Sequence, residues 1–171
     1  MRRSGMLRRV STVVRRLEDA DLETVVAFSL TAWAPVFASL EAELGPKLYG
    51  LLFPDWRSAQ ADAVEATCRA SENDVWVALV DARPVGFVAF GFIDEDATRA
   101  GEIHMIAVDP AHHGAGVGAS LMQRAVAEIK AQGVDLAVVA TGGDRGHAPA
   151  RALYETLDFK PLHLVRYYRT L

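Results

Sequence analysis

The sequence predicts an α/β (α+β) fold: one mixed sheet flanked by helices. Three features predict it. Apolar residues recur at helical spacing through roughly the first seventy positions. The character changes at residue 74 to β-rich runs separated by turn residues. From residue 101 onward, strand, helix, strand, helix and strand follow one another, which after an antiparallel meander gives a mixed sheet covered by helices. A chain of 171 residues with 51% hydrophobic and 23% charged side chains is ample for one core. Residues 11–171 are therefore expected to form a single domain.

The elements follow in order. Residues 12–17 (TVVRRL) predict a first strand. Glu18, Asp19, Asp21 and Glu23 suit the opening turn of a helix, where unpaired amides favour negative charge. Leu22, Val25, Val26, Leu30 and Trp33 recur at helical spacing up to Pro35. A second helix is expected over about residues 36–52, ending near Pro54. A third runs from its N-cap Asp55 to about Ala70. Cys68 on that helix reads as a small buried side chain. Residues 75–81 (VWVALVD) and 85–93 (VGFVAFGFI) are strands joined by Ala82-Arg83-Pro84, a tight hairpin. Polar residues 94–100 lead to another strand, 101–109, which Pro110 ends. After a glycine loop, Val117, Leu121, Met122, Ala125, Val126 and Ile129 line one side of an amphipathic helix stopped by Gly133. Residues 134–140 (VDLAVVA) predict a buried strand, Pro149 the first turn of a last helix ending near Leu157, and residues 159–170 one or two final strands.

Composition excludes several functions. A net charge of −4 leaves no electrostatic footprint for nucleic acid. No apolar run approaches the roughly 20 residues that span a bilayer, so no membrane partner is expected. Arg2, Arg3, Arg8 and Arg9 are followed by no apolar stretch, so residues 1–10 read as a flexible basic extension rather than a signal peptide. One cysteine, Cys68, permits no intrachain disulfide, and a reducing cytoplasm is the expected location. His104, His112, His113, His147 and His163 lack metal-ligand spacing, so no metal is expected.

The chemistry starts at Gly114, Gly116 and Gly118, three glycines at alternate positions between a strand and a helix. Such a loop leaves successive amides uncovered, and the helix N-terminus adds about half a positive charge, a combination that binds phosphate without lysine. A Walker loop is excluded, since no Gly-Lys-Ser/Thr is present. Gly114, Gly116 and Ala119 formally satisfy the dinucleotide pattern GxGxxG/A. That pattern needs an acid at the end of the next strand, whereas Asp135 stands at its start. A glycine-rich turn with no ligand is the remaining reading.

Residues 103–122 (IHMIAVDPAHHGAGVGASLM) resemble the acetyl-coenzyme A motif of the GCN5-related N-acetyltransferase (GNAT) superfamily, in which a strand ending Val-x-Pro precedes Arg/Gln-x-x-Gly-x-Gly/Ala. Residues 147–159 (HAPARALYETLDF) resemble its second motif, Asn-x-x-Ala-x-x-Leu-Tyr-x-x-x-Gly-Phe. The likeness covers roughly residues 75–160, and RRLEDADLETV resembles the family's opening strand and helix. Three positions depart from the pattern: His113 for Arg or Gln, His147 for Asn and Asp158 for Gly. An imidazole can still donate to phosphate, and Asp tolerates a left-handed turn.

The resemblance implies a mostly antiparallel sheet whose central strands splay, with acetyl-CoA as acyl donor. The loop His113, Gly114, Ala115, Gly116, Val117, Gly118 and Ala119 would hold its pyrophosphate, with His147 and Ala150 also on the cofactor. The edge Ile106-Ala107-Val108 would hold the thioester carbonyl. Direct attack by an amine is implied, with no acyl-enzyme, and Tyr154 occupies the general-acid position; packing the helix against the sheet is its bland role. A phenol with reference pKa near 10 is suited to protonating a thiolate. Glu102 and His104, two apart on a strand, should face one side together with Ile106 and Val108. Base, substrate-binding and structural roles stay open for both. Candidate acceptor walls are Trp33, Phe37, Tyr49, Phe53 and Trp56, with Glu41, Glu43 and Asp55 to attract a cation; aromatics at helical spacing also suit a core. The expected activity is acetyl or short-acyl transfer to a primary amine of a small molecule or peptide. The alternatives are a catalytically weak acyl-CoA-binding sensor and a nucleotide-linked oxidoreductase. Final strands that pair between subunits in this superfamily make a homodimer an expectation.

Overall fold

The computed structural model describes residues 12–171; the expected basic extension, residues 1–10, lies outside the described residues. The order is β1 (Val13–Arg16), α1 (Leu22–Leu52), α2 (Trp56–Arg69), β2 (Asp74–Val80), β3 (Arg83–Glu95), β4 (Thr98–Val108), α3 (Val117–Ala131), β5 (Ala137–Val139) and α4 (Ala148–Thr156). The five strands lie in sequence order. β1 to β4 pair antiparallel and β5 joins β4 parallel, a mixed and mostly antiparallel sheet as expected.

Two hairpins set the register. Val80 pairs with Arg83, so the β2–β3 turn is Asp81-Ala82, both left-handed at φ 48° and 63°. Two consecutive positive φ values match the twist of the flanking strands. Arg83 and Pro84 belong to the strand rather than to the turn. Glu95 pairs with Thr98 across Asp96-Ala97 in the second hairpin.

The sheet divides the core in two. On one face Val85, Val88, Phe90 and Ile103 pack with Val117, Leu121, Met122, Ala125 and Ile129 of α3 and with Tyr154 of α4. On the other, Val75, Val77, Phe87, Ala89 and Ala107 pack with Leu22, Val25 and Phe28 of α1 and Val64 and Cys68 of α2. Cys68 is buried, as expected, and burial pushes its thiol up to about 11, so it is inert at neutral pH.

Four expectations need correction. The first helix does not end at Pro35. α1 runs through it and breaks instead at Gly45, whose φ of 76° and ψ of 160° are non-helical. The reason is local: Pro46 disfavours helical geometry at the residue before it, and Gly45 alone there enters the left-handed region without strain. The strand expected over 134–140 shrinks to the three half-buried residues of β5. No strand forms over 159–170; residues 160–171 carry no regular secondary structure, with Leu162, Leu164 and Tyr167 each at least 85% exposed. Their alternating pattern suits a strand, but a strand forms only when paired with a neighbour, and among the described residues none is paired with them. Finally, among the described residues one helix, 19–52, is by length and composition apolar enough to cross a membrane, although no unbroken apolar run in it approaches 20 residues. Its Leu22, Val25 and Phe28 pack on the sheet.

Candidate active site

β4 and β5 pair only from Gly101–Ile103 to Ala137–Val139. Beyond Ile103, β4 keeps β3 on one side and has no strand on the other. The chain after Val139 runs on without pairing to β4, so the two strands part beyond Ile103. This is the splay that the resemblance implied.

Asp109 caps the turn after β4, its carboxylate accepting from the amide of Ala111 at 3.0 Å. Gly114 (φ 75°) and Gly116 (φ 81°) are left-handed, and a Cβ on either would meet nothing within 4 Å. The first bond of α3 is from the Ser120 amide to the Gly116 carbonyl, 3.0 Å. Among the described residues, no backbone carbonyl takes the amides of 114–119. Six uncommitted N–H groups at the start of a helix form an anion cradle. Ala115 is exposed and Ala119 half-buried, while Val117 is buried in the core and so offers only its amide. Gly118 has a different purpose: a Cβ there would lie 3.1 Å from Leu153, so glycine lets α3 and α4 approach.

His113 does not reach into this cradle. Its Nε2 donates to the Val108 carbonyl at 3.0 Å, tying the loop to the end of β4. The anion-binding groups the loop offers are therefore its backbone amides.

The alternation expected along β4 is broken by a bulge. Val88 pairs with Ile106 and Ala89 with Met105, but Phe90 with Ile103, which leaves His104 as an extra residue. A bulge reverses which face later residues occupy. Ile106 and Val108 accordingly pack with the α3 face and Ala107 with the α1–α2 face. Glu102 pairs with Gly91, and a Cβ on Gly91 would lie 2.7 Å from His104 Nε2 and 2.9 Å from Asn73 beside α2. Glu102 and His104 thus share the α1–α2 face, opposite Ile106 and Val108. This corrects the expectation that all four align. Glu102 Oε2 lies 3.5 Å from His104 Nδ1, both side chains half-exposed, and Gly91 provides the space into which the imidazole leans.

Tyr154 is buried on the other face, packed on Phe159 at 6.1 Å between ring centroids. Burial pushes its phenol up to about 12. Full proton donation from such a group to a thiolate of ordinary pKa near 8.5 runs uphill by about 5 kcal/mol. Asp158, at φ 65°, occupies the left-handed position expected of it.

At the start of α4, beside half-buried Ala150, His147 Nδ1 bonds to Asp144, a partner that motif reading passed over although Asp-x-x-His was visible in the sequence. Asp144 is buried. Burial works to raise its pKa, but hydrogen bonds from His147, Ser39 and the Gly146 amide hold it below the usual carboxylate range.

The acceptor walls split into two groups. Trp33 meets core Phe87 edge-on at 6.4 Å. Phe37 stacks on Trp56 at 4.2 Å and meets Phe53 at 5.6 Å, with Tyr49 beside Phe53 at 5.4 Å and the Arg57 guanidinium over Trp56 at 4.4 Å. Glu41 and Glu43 are exposed, and Asp55 caps α2 by accepting from the Ser58 amide at 3.3 Å. A groove of about 490 Å³ along α1, lined by Glu23, Phe28, Arg83 and Asp109, contains none of the residues expected to act on substrate.

Comparison with known proteins agrees with this geometry. A mycothiol acetyltransferase of Beutenbergia cavernae is 42% identical over 62 residues, 36% of this chain, and the chain spans only 20% of that protein's length. The aminoglycoside antibiotic 6'-N-acetyltransferase of Acinetobacter haemolyticus superposes with a TM-score of 0.67 at 15% identity, covering 93% of this chain and 98% of that one. A predicted acetyltransferase of Clostridium acetobutylicum, solved with acetyl-CoA, gives 0.60 at 16% identity, covering 93% and 96%. At those identities the structures show the fold alone. Residues 38–159, most of the chain and both motifs with it, match the Acetyltransferase (GNAT) family, to which this protein belongs.

Proposed function

We propose that residues 11–171 act as one domain that transfers an acetyl or other short acyl group from coenzyme A to a primary amine by direct attack. The observation that carries this reading is the run of uncommitted amides at 114–119 facing the opening between β4 and β5. The pyrophosphate rests on that run, and the thioester arm lies along Ile106-Ala107-Val108. The amine approaches from the α1–α2 face. There Glu102 or His104 takes its proton, and Phe37 and Trp56, with Trp33 deeper in, flank it. An aminoglycoside acetyltransferase and a mycothiol acetyltransferase among the similar proteins support a small polar acceptor. The net charge of −4 suits a cationic acceptor and disfavours nucleic acid. With α1 packed on the sheet, we assign the protein to the cytoplasm with no membrane partner and no metal. Exposed Leu162, Leu164, Val165 and Tyr167 supply an apolar surface for a second copy, and we assign a homodimer on that basis.

Gly116→Asp tests the reading. A Cβ at 116 meets nothing, and Asp is among the residues that tolerate the left-handed φ of 81°, so the fold should persist at a cost of about 1 kcal/mol, while a carboxylate beside the pyrophosphate should abolish coenzyme A binding in calorimetry. Retained affinity would overturn the site. The sensor alternative draws on His113 and His147, which stand where the family motifs have Arg or Gln and Asn, while Tyr154 argues against it. It is separated by thiol release from acetyl-CoA across an amine panel: binding without release, unchanged by Tyr154→Phe, favours the sensor.

A further inference from the structure

We propose that a notch over Gly91, walled by Asn73, His104, Glu102 and the Glu72 carbonyl, binds a second ammonium group of the acceptor, one that does not react. The inference rests on the acyl-transfer reading above and deepens it. It makes the acceptor a diamine or longer polyamine rather than a monoamine.

The notch exists because position 91 is glycine. A Cβ there would lie 2.7 Å from His104 Nε2, 2.9 Å from Asn73 Oδ1 and 3.5 Å from the Glu72 carbonyl oxygen. Three polar atoms, from the α2–β2 connection and from β4, thus converge above one residue of β3, and one ligand nitrogen can reach them all. Asn73 is held in place for this. Its Nδ2 donates to the Thr67 carbonyl at 3.0 Å and its backbone amide to that of Ala70 at 3.1 Å. A flipped amide would set its oxygen against the Thr67 carbonyl, so Oδ1 is the atom that faces Gly91.

The chemistry of these groups selects the ligand. The two carbonyl oxygens only accept hydrogen bonds, and a neutral imidazole accepts at Nε2 when its proton is on Nδ1. Glu102 pairs with Gly91 across the strands, and its Oε2 lies 3.5 Å from His104 Nδ1, so negative charge stands behind the acceptors. Asp74, next in the chain, is already paired with Arg16. A primary ammonium carries three donors, one positive charge and no acceptor, and so complements this set. The side chains of Glu102 and His104 are each 30% exposed, which leaves the notch open to a ligand from solvent.

Strand register decides that this ammonium is not the reacting one. Gly91 pairs with Glu102, whereas the edge Ile106-Ala107-Val108, assigned to the thioester, pairs with Val88, Phe87 and Gly86. The two levels are separated by about 10–16 Å along β3. A nitrogen in the notch cannot attack the carbonyl from there. The attacking nitrogen lies further along the same face, and any proton it gives to Glu102 or His104 crosses water. An acceptor whose amines are about that far apart places one at each position.

Octamethylenediamine is the probe, compared with octylamine, of equal length, and tetramethylenediamine, too short to span the two levels. Each is titrated into wild type, N73A and N73D. Affinity is read by calorimetry, and the site by proton–nitrogen NMR shifts of the Gly91 amide and the Asn73 side chain. Wild type should bind octamethylenediamine about tenfold more tightly than octylamine, with both signals shifted. N73A should bring that ratio to within about twofold, while N73D, which keeps an acceptor and adds charge, should preserve or raise it. Each ratio is taken within one protein, so loss of the α2 cap does not imitate the effect. In acetyl transfer, kcat/KM should favour octamethylenediamine over both other amines. Equal affinity of wild type for diamine and monoamine, an unchanged ratio in N73A, or no amine binding at all overturns the notch. A kcat/KM optimum at tetramethylenediamine overturns the spacing. Failure of wild type to bind coenzyme A instead overturns the acyl-transfer reading, even where octamethylenediamine shifts Gly91 and Asn73.

Discussion

The two faces of the sheet differ in how their functional parts are made. On the α3–α4 face the site is local: a glycine loop, the start of α3 and the tip of α4, all within residues 109–154. On the α1–α2 face it is assembled from distant pieces, with Glu102 and His104 from β4, Gly91 from β3, Asn73 after α2 and aromatics from residues 33–56. Contiguous geometry can be written into a short motif. Assembled geometry depends on register, and one extra residue in β4 decided which face Glu102 and His104 occupy. The Tyr154 phenol and the Glu102–His104 pair lie on opposite faces of the sheet.

Paired glycine substitutions probe that difference most strongly. Gly101 backs onto α3, where a Cβ would lie 2.5 Å from Ile129, so Gly101→Ala should destabilise by about 1–3 kcal/mol in urea unfolding. At Gly91 the colliding atoms are the ends of two side chains, His104 Nε2 at 2.7 Å and Asn73 Oδ1 at 2.9 Å. Gly91→Ala should therefore cost less than about 1 kcal/mol while lowering kcat, because the imidazole is displaced. A large stability loss at Gly91, or unchanged kcat, would contradict the assigned position of His104.

Acid sensitivity is the next effect. The Arg15 guanidinium, bonded to Asp21 at 2.6 and 3.0 Å, holds that carboxyl below its ordinary range, against burial and together with the Glu18 amide. A carboxyl depressed in the fold contributes stability above its unfolded pKa near 3.9, and that contribution is lost as pH falls through the folded value. Wild type should therefore lose stability on acidification below about pH 4 more steeply than Asp21→Asn, as compared by urea midpoints. Parallel pH profiles would show that the pair contributes nothing.

The smallest effect is a gain. Asp158 sits at φ 65° where glycine is freer, so Asp158→Gly should raise stability by up to about 1 kcal/mol, read as a higher Tm with coenzyme A affinity unchanged. A fall in Tm would mean that the Asp158 side chain makes a stabilising contact.

Helices, hairpins and the phosphate cradle were legible in the sequence because each is set by residues close in the chain. The Asp55 cap, the Gly114 and Gly116 turns and the left-handed Asp158 all stand where local chemistry puts them. What local pattern misread depended on distant neighbours. The exception is Pro35, which stays inside α1 while the helix breaks for a local reason at Gly45-Pro46; residues 160–171 form no strand although their pattern alternates. His113, expected at the phosphate, turned back to the Val108 carbonyl. Asp144 gained its meaning only when the loop folded His147 onto it and α1 brought Ser39. Sequence by itself determined the element types, the glycine cradle and the family. Tertiary structure alone decided which face each titratable group occupies and which carboxylate orients which imidazole, because register, bulges and helix contacts are properties of the assembled sheet.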